Sequence, residues 1–277
     1  MIELILEPGR SEKNYWRDLW RYRELFYILA WRDLAVRYKQ TVIGVAWAVV
    51  RPLLMTIIFT VFANKVAGLK APGNVPHALL VMAAMLPWQF FATAMTEASN
   101  SLIGNSNLIS KVYFPRLIMP ASAVITSFVD FLITLALMAL CMAYYRFIPD
   151  WHVLLLPVFM LLAFGVAFGT GLWLCALNVK YRDFRYILPF IVQFGIYVSP
   201  VIYTSTNIRE KLGETFSQFY AVNPMVGVID GFQWCLLRAP TPLDVQAVLT
   251  SVLVVLLLLA TGTWYFRKME RTFADVI

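Results

Sequence analysis

VQAVLTSVLVVLLLLATGTWYF, residues Val245 to Phe266, runs for 22 positions without one charged side chain. At about 1.5 Å of rise per residue such a helix is about 33 Å long, enough to cross the roughly 30 Å hydrocarbon core of a bilayer. Lipid offers no water to backbone amides, so a segment of this kind crosses as an unbroken helix that satisfies them internally. Five other stretches read the same way, at about Val42 to Phe62, His77 to Leu102, Pro120 to Tyr144, Val153 to Leu177 and Tyr186 to Tyr203. The expected fold is an all-α integral membrane protein with six transmembrane helices, and an even number returns both termini to one side.

Composition agrees, since 60% of the 277 residues are hydrophobic and only 14% charged, against about a quarter charged in soluble proteins. Mean hydropathy is +0.69. The net charge of +7 comes without any basic run longer than two, a distribution that suits membrane topology better than a nucleic-acid groove. Sixteen Lys and Arg fall in the N-terminal segment, the second and fourth loops and the C-terminal tail, against six in the other three loops. By the positive-inside rule both termini are cytoplasmic. The first forty residues mix charges and lack the continuous apolar run of a cleavable signal peptide, so the first span is expected to direct insertion itself. Cys141, Cys175 and Cys235 lack metal-ligand spacing and read as packing residues, so no metal site is expected. His77 and His152 have no ligand set around them.

The chain divides into a cytoplasmic amphipathic segment (1–41), a six-span domain (42–266) and a cytoplasmic tail (267–277). In the first, Trp16, Trp20, Tyr27, Trp31, Leu34 and Tyr38 recur at helical spacing between Arg17, Arg21, Glu24 and Arg32. This predicts an interface helix with rings at headgroup depth. Between the fifth and sixth spans, about 204–243, two short external helices are expected as a gate. Asn207 with Glu210 offers a capping box, and Asn223 before Pro224 an N-cap with a first-turn proline. Met225, Ile229, Phe232 and Leu236 mark an apolar face that would rest at the outer membrane boundary, and Ile208 and Phe232 represent the two helices. In the fourth span, Gly165 and Gly169 have the spacing of a close helix contact.

Three ionisable residues fall inside the spans: Arg51, Glu97 and Asp130. At helical rise, Arg51 lies roughly 13 Å and Asp130 roughly 15 Å from the cytoplasmic side, and an unpaired charge there is expensive, so Arg51 is expected to pair with Asp130 or Glu97. Among many aromatic residues, Phe59, Trp88 and Tyr197 are the expected channel lining, because a flat ring suits the C–H face of a sugar. No Gly-Lys pair occurs, so the phosphate-cradling GxxxxGK[ST] loop is missing and the chain is not expected to be an ATPase or another enzyme.

Several stretches then fit together. The run from Arg37 through Tyr38, Thr41 and Gly44 to Trp47 with Arg51-Pro52-Leu53-Leu54, Lys111 to Arg116, Asn178 to Asp183, Ser199 to Tyr203, and Asn223-Pro224-Met225 with Ile229 to Phe232 resemble, in order, the ABC-2-type polysaccharide export permeases. That resemblance implies a homodimer with two copies of a separate nucleotide-binding ATPase, which would hold the ATP and Mg while this chain carries no cofactor. It implies a bacterial inner membrane location and a lipid-linked polysaccharide substrate such as O-antigen, capsule or teichoic acid. Its coupling helix maps onto Asn105, Ser106, Asn107, Leu108, Ile109, Ser110, Lys111 and Val112, with Lys180, Tyr181, Arg182 and Asp183 as further contacts. Two other readings are weaker. A drug or small-lipid exporter of the same architecture is disfavoured by the Asn223 to Phe232 run, and a membrane glycosyl- or phosphotransferase by the isolation of Glu97 and Asp130.

Overall fold

The computed structural model describes residues 15–39, 46–66, 68, 75–181, 183–237 and 243–273, and every element among them is helical. The expected start of the first span, Arg182 and the last four residues lie outside the described residues. Two short helices, α1 (Tyr15–Arg21) and α2 (Arg23–Lys39), precede α3 (Ala46–Val61), which runs into a single wide turn at Phe62–Val66. Then come α4 (His77–Gly104), the one-turn α5 (Ser106–Ile109), α6 (Ile118–Tyr144), and α7 (Leu156–Lys180), which is preceded by a tight 3₁₀ turn at Trp151–Leu155. The chain continues with α8 (Phe184–Val198), α9 (Ser205–Tyr220), α10 (Pro224–Leu236) and α11 (Val245–Glu270). Five of these segments are long and apolar enough to cross a membrane, and α8 is a shorter apolar helix of 15 residues.

Helix α4 is the spine. It packs along α6 and α7 and also touches α3, α8 and α10, while α11 lies along α7 and α10. Small residues make the closest of these contacts possible. A methyl group added at Gly262 of α11 would stand 2.7 Å from the Gly169 carbonyl oxygen of α7, and one at Gly169 would stand 3.0 Å from the Leu258 backbone. The glycine spacing in the fourth span therefore serves packing against the last. Beside it the Trp173 indole donates to the Thr261 hydroxyl (3.0 Å) and stacks on Tyr265. Between α4 and α7, the buried Asn178 amide donates to the Ser99 carbonyl (3.1 Å) and to Asn100 Oδ1 (3.0 Å), an interhelical polar contact of the kind found between membrane helices.

The apolar interior forms two clusters. One fills the bundle with a ring system of Phe90, Phe128, Phe131, Phe164 and Phe232. The other gathers Tyr15, Leu29, Leu102, Ile109, Phe114, Phe266 and Phe273. In this second cluster Tyr15 of α1 donates to the Glu270 carboxylate (3.2 Å), the Arg116 backbone N–H donates to the same group (2.8 Å), and the Arg267 guanidinium covers the Tyr15 ring. The start of the described chain and the end of α11 thus meet at one end of the bundle.

Three local expectations need correction. The fifth apolar segment stops at Val198, short of Tyr203, because Ser199 precedes Pro200 and takes an extended backbone (φ −115°, ψ 152°), as a residue before proline must. The capping box at Asn207 and Glu210 does not form, since α9 has already begun at Ser205; its break comes instead at Gly213, whose φ of 83° suits glycine. Helix α10 is indeed capped by Asn223, whose side chain accepts from the Met225 N–H (3.0 Å). The apolar face expected to lie open at the outer boundary is covered, however: Met225, Ile229, Phe232 and Leu236 are all buried, and so are residues on its other faces, because α10 is wedged among α4, α7 and α11.

Candidate functional site

A cavity of about 570 Å³ opens between α3, α4, α6 and α8. Its wall on α3 runs through Trp47, Arg51, Met55 and Phe59, one every fourth residue, with Ala48 and Pro52 beside them. Trp88 and Gln89 of α4 and Gln193, Ile196 and Tyr197 of α8 face it. The three aromatic residues singled out from sequence, Phe59, Trp88 and Tyr197, therefore border one space, whereas Phe90 stacks in the interior ring cluster as well as reaching the cavity wall. Helix α8 reaches α4 closely at Gly195, where an added methyl would stand 2.5 Å from the Trp88 ring.

The ionic groups at this cavity are arranged differently from the expected pairing. Arg37, at the end of α2, makes ion pairs with Asp130 and with Glu97 (3.0 Å), and the Tyr38 hydroxyl donates to Asp130. Burial, and then the bond to that carboxylate, hold the Tyr38 phenol well above its usual range. Arg51 lines the same cavity, but neither carboxylate is its partner: among the described residues it has no ion pair. Helix α2 lies along α6, so its C-terminal arginine reaches the carboxylates from the side, a route that span depths could not reveal. The sequence did carry a signal, since Arg37 and Tyr38 end the amphipathic segment next to the first span.

That amphipathic segment has two apolar faces. Tyr15 and Leu29 are buried against the bundle, with Leu19, Tyr22 and Phe26 packed beside them, while Trp16, Trp20, Tyr27 and Trp31 are exposed. Near its middle, Arg32 donates to Asn105 (2.8 Å), the residue that turns α4 into α5. In α5 and its sequel, Asn107, Ser110, Lys111 and Val112 are exposed, Asn105, Ser106 and Leu108 are half-buried, and Ile109 is buried. Lys180, whose ammonium sits 5.0 Å over the Tyr181 ring, Tyr181 and Asp183 are exposed at the same end of the bundle, where Asn178 of α7 meets Ser99 and Asn100 of α4.

At the opposite end Ile208 is half-buried on α9, and α9 is tied to its neighbours by Ser205 donating to Asp230 of α10 (2.8 Å) and by an Arg209–Asp244 ion pair. Asp244 also caps α11 through the Ala247 N–H (3.1 Å). Burial pushes the Asp230 carboxyl up to about 7, with the Ser205 hydroxyl drawing it the other way.

A helical membrane bundle with a cavity walled by ionic and aromatic side chains, and exposed polar turns at one end, is a transporter subunit in form. The ABC-2 type transporter profile matches residues 24–237, and the chain belongs to that family. It is 29% identical over 262 residues to the O-antigen export system permease protein RfbA of Myxococcus xanthus, covering 94% of this chain and 98% of that protein. Two proteins of the same name from Klebsiella pneumoniae are 26% and 27% identical over 258 residues, each match covering 92% of this chain and 95% of the relative.

Proposed function

We propose that this chain is the membrane permease of an ATP-driven exporter that carries lipid-linked polysaccharide, of the O-antigen kind, out across the bacterial inner membrane. The observation that carries the reading is the match to three O-antigen export permeases over more than nine-tenths of the chain. The cavity agrees with it, because aromatic walls give a sugar chain surface without the tight binding that would stop it leaving. ATP and Mg belong to two copies of a separate ATPase, and the permease works as a homodimer. Asn105 to Val112 and Lys180 to Asp183 form the docking surface for that ATPase, and the Arg32–Asn105 contact would carry its movement into α2 and so to Arg37 at the cavity.

Six crossings with both termini cytoplasmic follow if α8 spans the membrane. The meeting of Tyr15 with Glu270 supports this, since it requires an even number of crossings between α2 and the end of α11. Helices α9 and α10 then make the external gate. The reading is tested by deleting the gene and measuring surface polysaccharide: display should vanish and return with the parental chain, while glycan accumulates inside the cell. Unchanged display would overturn it.

A further inference from the structure

We infer that Glu270 is a positioning residue for coupling: by joining the end of α11 to the start of α6 and to α1, it anchors the Asn105–Val112 turn, so that a push on the turn moves whole helices instead of bending a loop. The inference rests on the exporter reading, which makes that turn a docking surface for the ATPase, but its geometry stands on the bundle alone. The Glu270 carboxylate accepts the Arg116 N–H (2.8 Å), just before α6 begins at Ile118, and the Arg116 guanidinium in turn donates to the Glu270 carbonyl oxygen at the last residue of α11. Each residue thus caps the other's helix. A carboxylate suits the positive start of a helix, and a guanidinium the carbonyls left unpaired at a helix end. Tyr15 of α1 donates to the same carboxylate oxygen (3.2 Å), and the Arg267 guanidinium, nearly one turn before Glu270, lies 4.5 Å over the Tyr15 ring.

The turn is consequently held at both ends. Upstream, Asn105 accepts from Arg32 of α2 and donates its amide to the Ser101 carbonyl of α4 (2.9 Å). Downstream, Phe114 and Leu117 are buried in one cluster with Phe266 and Phe273, and Arg116 is tied to Glu270. Between these anchors Asn107 and the run from Ser110 to Tyr113 are exposed. A segment fixed at both ends passes a load to its anchors, through the hydrogen bonds and rigid helices that carry coupling between distant sites, whereas one loose at its downstream end takes up the load in its own bends. The downstream anchor leads to the cavity. Helix α6 continues from Ile118 to Ser127, Asp130, Phe131 and Thr134 on the cavity wall, with Asp130 about 18 Å along it.

The anchor depends on reach more than on charge, because both donors meet one oxygen, Oε1, and this sets the test. Glu270→Ala, Glu270→Asp and Glu270→Gln are compared in the full chain together with the ATPase that co-purifies with the parent. ATP hydrolysis and surface polysaccharide are both read per molecule of permease in the membrane. Glu270→Ala should still stimulate hydrolysis, because the exposed face of the turn is untouched, while display falls about fivefold or more. Glu270→Asp keeps the charge but is one methylene too short, and should uncouple as Glu270→Ala does. Glu270→Gln keeps an oxygen at the same place and should stay within about twofold of the parent. Should Glu270→Ala fail to accumulate in the membrane, Arg116→Gln is read in its place; it removes the bond to the α11 carbonyl, leaves the backbone N–H, and should uncouple in the same direction. Hydrolysis and display that fall in proportion would mean that Glu270 only holds the fold, and display per ATP unchanged in every variant would mean that the turn needs no downstream anchor; either overturns the inference. Display that does not need the chain at all overturns the exporter reading and the coupling role with it, whereas display that needs the chain but ignores Glu270 removes the coupling role alone.

Discussion

Helices α3 and α4 qualify equally as membrane spans, with mean hydropathies of 1.9 and 1.6 in their most apolar windows, yet 17% of the first and 83% of the second is buried. Side-chain size explains the contrast. Helix α4 carries Ala83, Ala84, Ala94, Ala98, Ser99 and Ser101, which let α6, α7 and α10 close on it from several sides. Helix α3 turns Leu54, Ile57, Ile58 and Val61 outward, and its inner stripe faces a cavity instead of a neighbour. Hydropathy measures how much a segment resists water, and lipid and protein interior satisfy it alike. The difference separates a framework from a working surface: α4 with α7 and α11 holds the shape, and α3 with α8 borders the space through which cargo would pass.

The sharpest way to break this contrast is to enlarge one side chain in each region. Gly262→Leu forces atoms into the Gly169 backbone and should cost more than the ~1–3 kcal/mol usual for overpacking, because backbone cannot yield as a side chain does. Ile58→Leu on the open face of α3 should change stability by less than about 0.5 kcal/mol. Melting temperatures of the two proteins in one detergent measure both. Equal losses would mean that α3 belongs to the framework after all.

Between these extremes stands the ion cluster that joins α2 to α6. Arg37→Gln leaves Asp130 and Glu97 without their cation at a site about one quarter to one half exposed, and should cost about 1–3 kcal/mol, less than a fully buried pair would. Arg51→Gln should cost almost nothing in the same melt. If the two variants lose equal stability, Arg51 has a structural partner and the distinction between the two arginines fails.

The turn from Asn105 to Val112 calls for an activity measurement. Leu108 and Ile109 help to form the cluster around Phe266 and Phe273, so changing them would confuse coupling with folding. Asn107 is exposed and free of that cluster. Asn107→Arg is therefore expected to leave the melting temperature unchanged while lowering ATPase stimulation and surface display about tenfold, the effect of roughly 1.4 kcal/mol at a docking surface. Parental values of both would move the docking site to Lys180–Asp183 or to α2.

Much of this was legible in the sequence because it depends on runs of like residues. Four of the five long helices begin and end within a few residues of their hydropathy limits and α3 ends close to its own, the Gly165 and Gly169 spacing foretold a helix contact, and Asn223 before Pro224 foretold a cap that forms. What escaped depends on which faces meet. Depth along a span matched Arg51 to Asp130, but Arg37 reaches that carboxylate from α2, a helix outside the spans that packs on α6, and no one-dimensional measure contains that contact. The apolar face of α10 was visible, but nothing in 13 residues tells a helix lying on lipid from one wedged among three neighbours. Likewise the aromatic stripe of α1 and α2 hid a second face, Tyr15 to Leu29, that does the docking.

The last expected effect concerns the end of the bundle that carries Ile208, where the contrast of open and buried helices recurs in α9 and α10. Ser205 of α9 reaches Asp230 of α10, and Arg209 holds Asp244 at the head of α11. The exposed Arg209–Asp244 pair contributes little, about 0.2–1 kcal/mol, so the Asp230 contact governs how docking responds to pH. Burial raises that carboxyl from 3.8 to about 7 while α9 is docked. Undocking exposes it to water and returns it toward the lower value. Between roughly pH 4 and 7 the docked form thus holds a proton that the undocked form releases, and linkage requires docking to weaken as pH rises through that window. Below it the contribution is complete, and above it is lost. Spin labels at Ile208→Cys and Leu249→Cys, in a Cys141→Ser background, should report a distance distribution that broadens from pH 5 to pH 8. In Asp230→Asn, which stays neutral throughout, the distribution should be the same at both values. A parental chain whose distances do not change with pH would mean that the carboxyl keeps its environment whether or not α9 is docked, and that α9 is held by the packing of α10 alone.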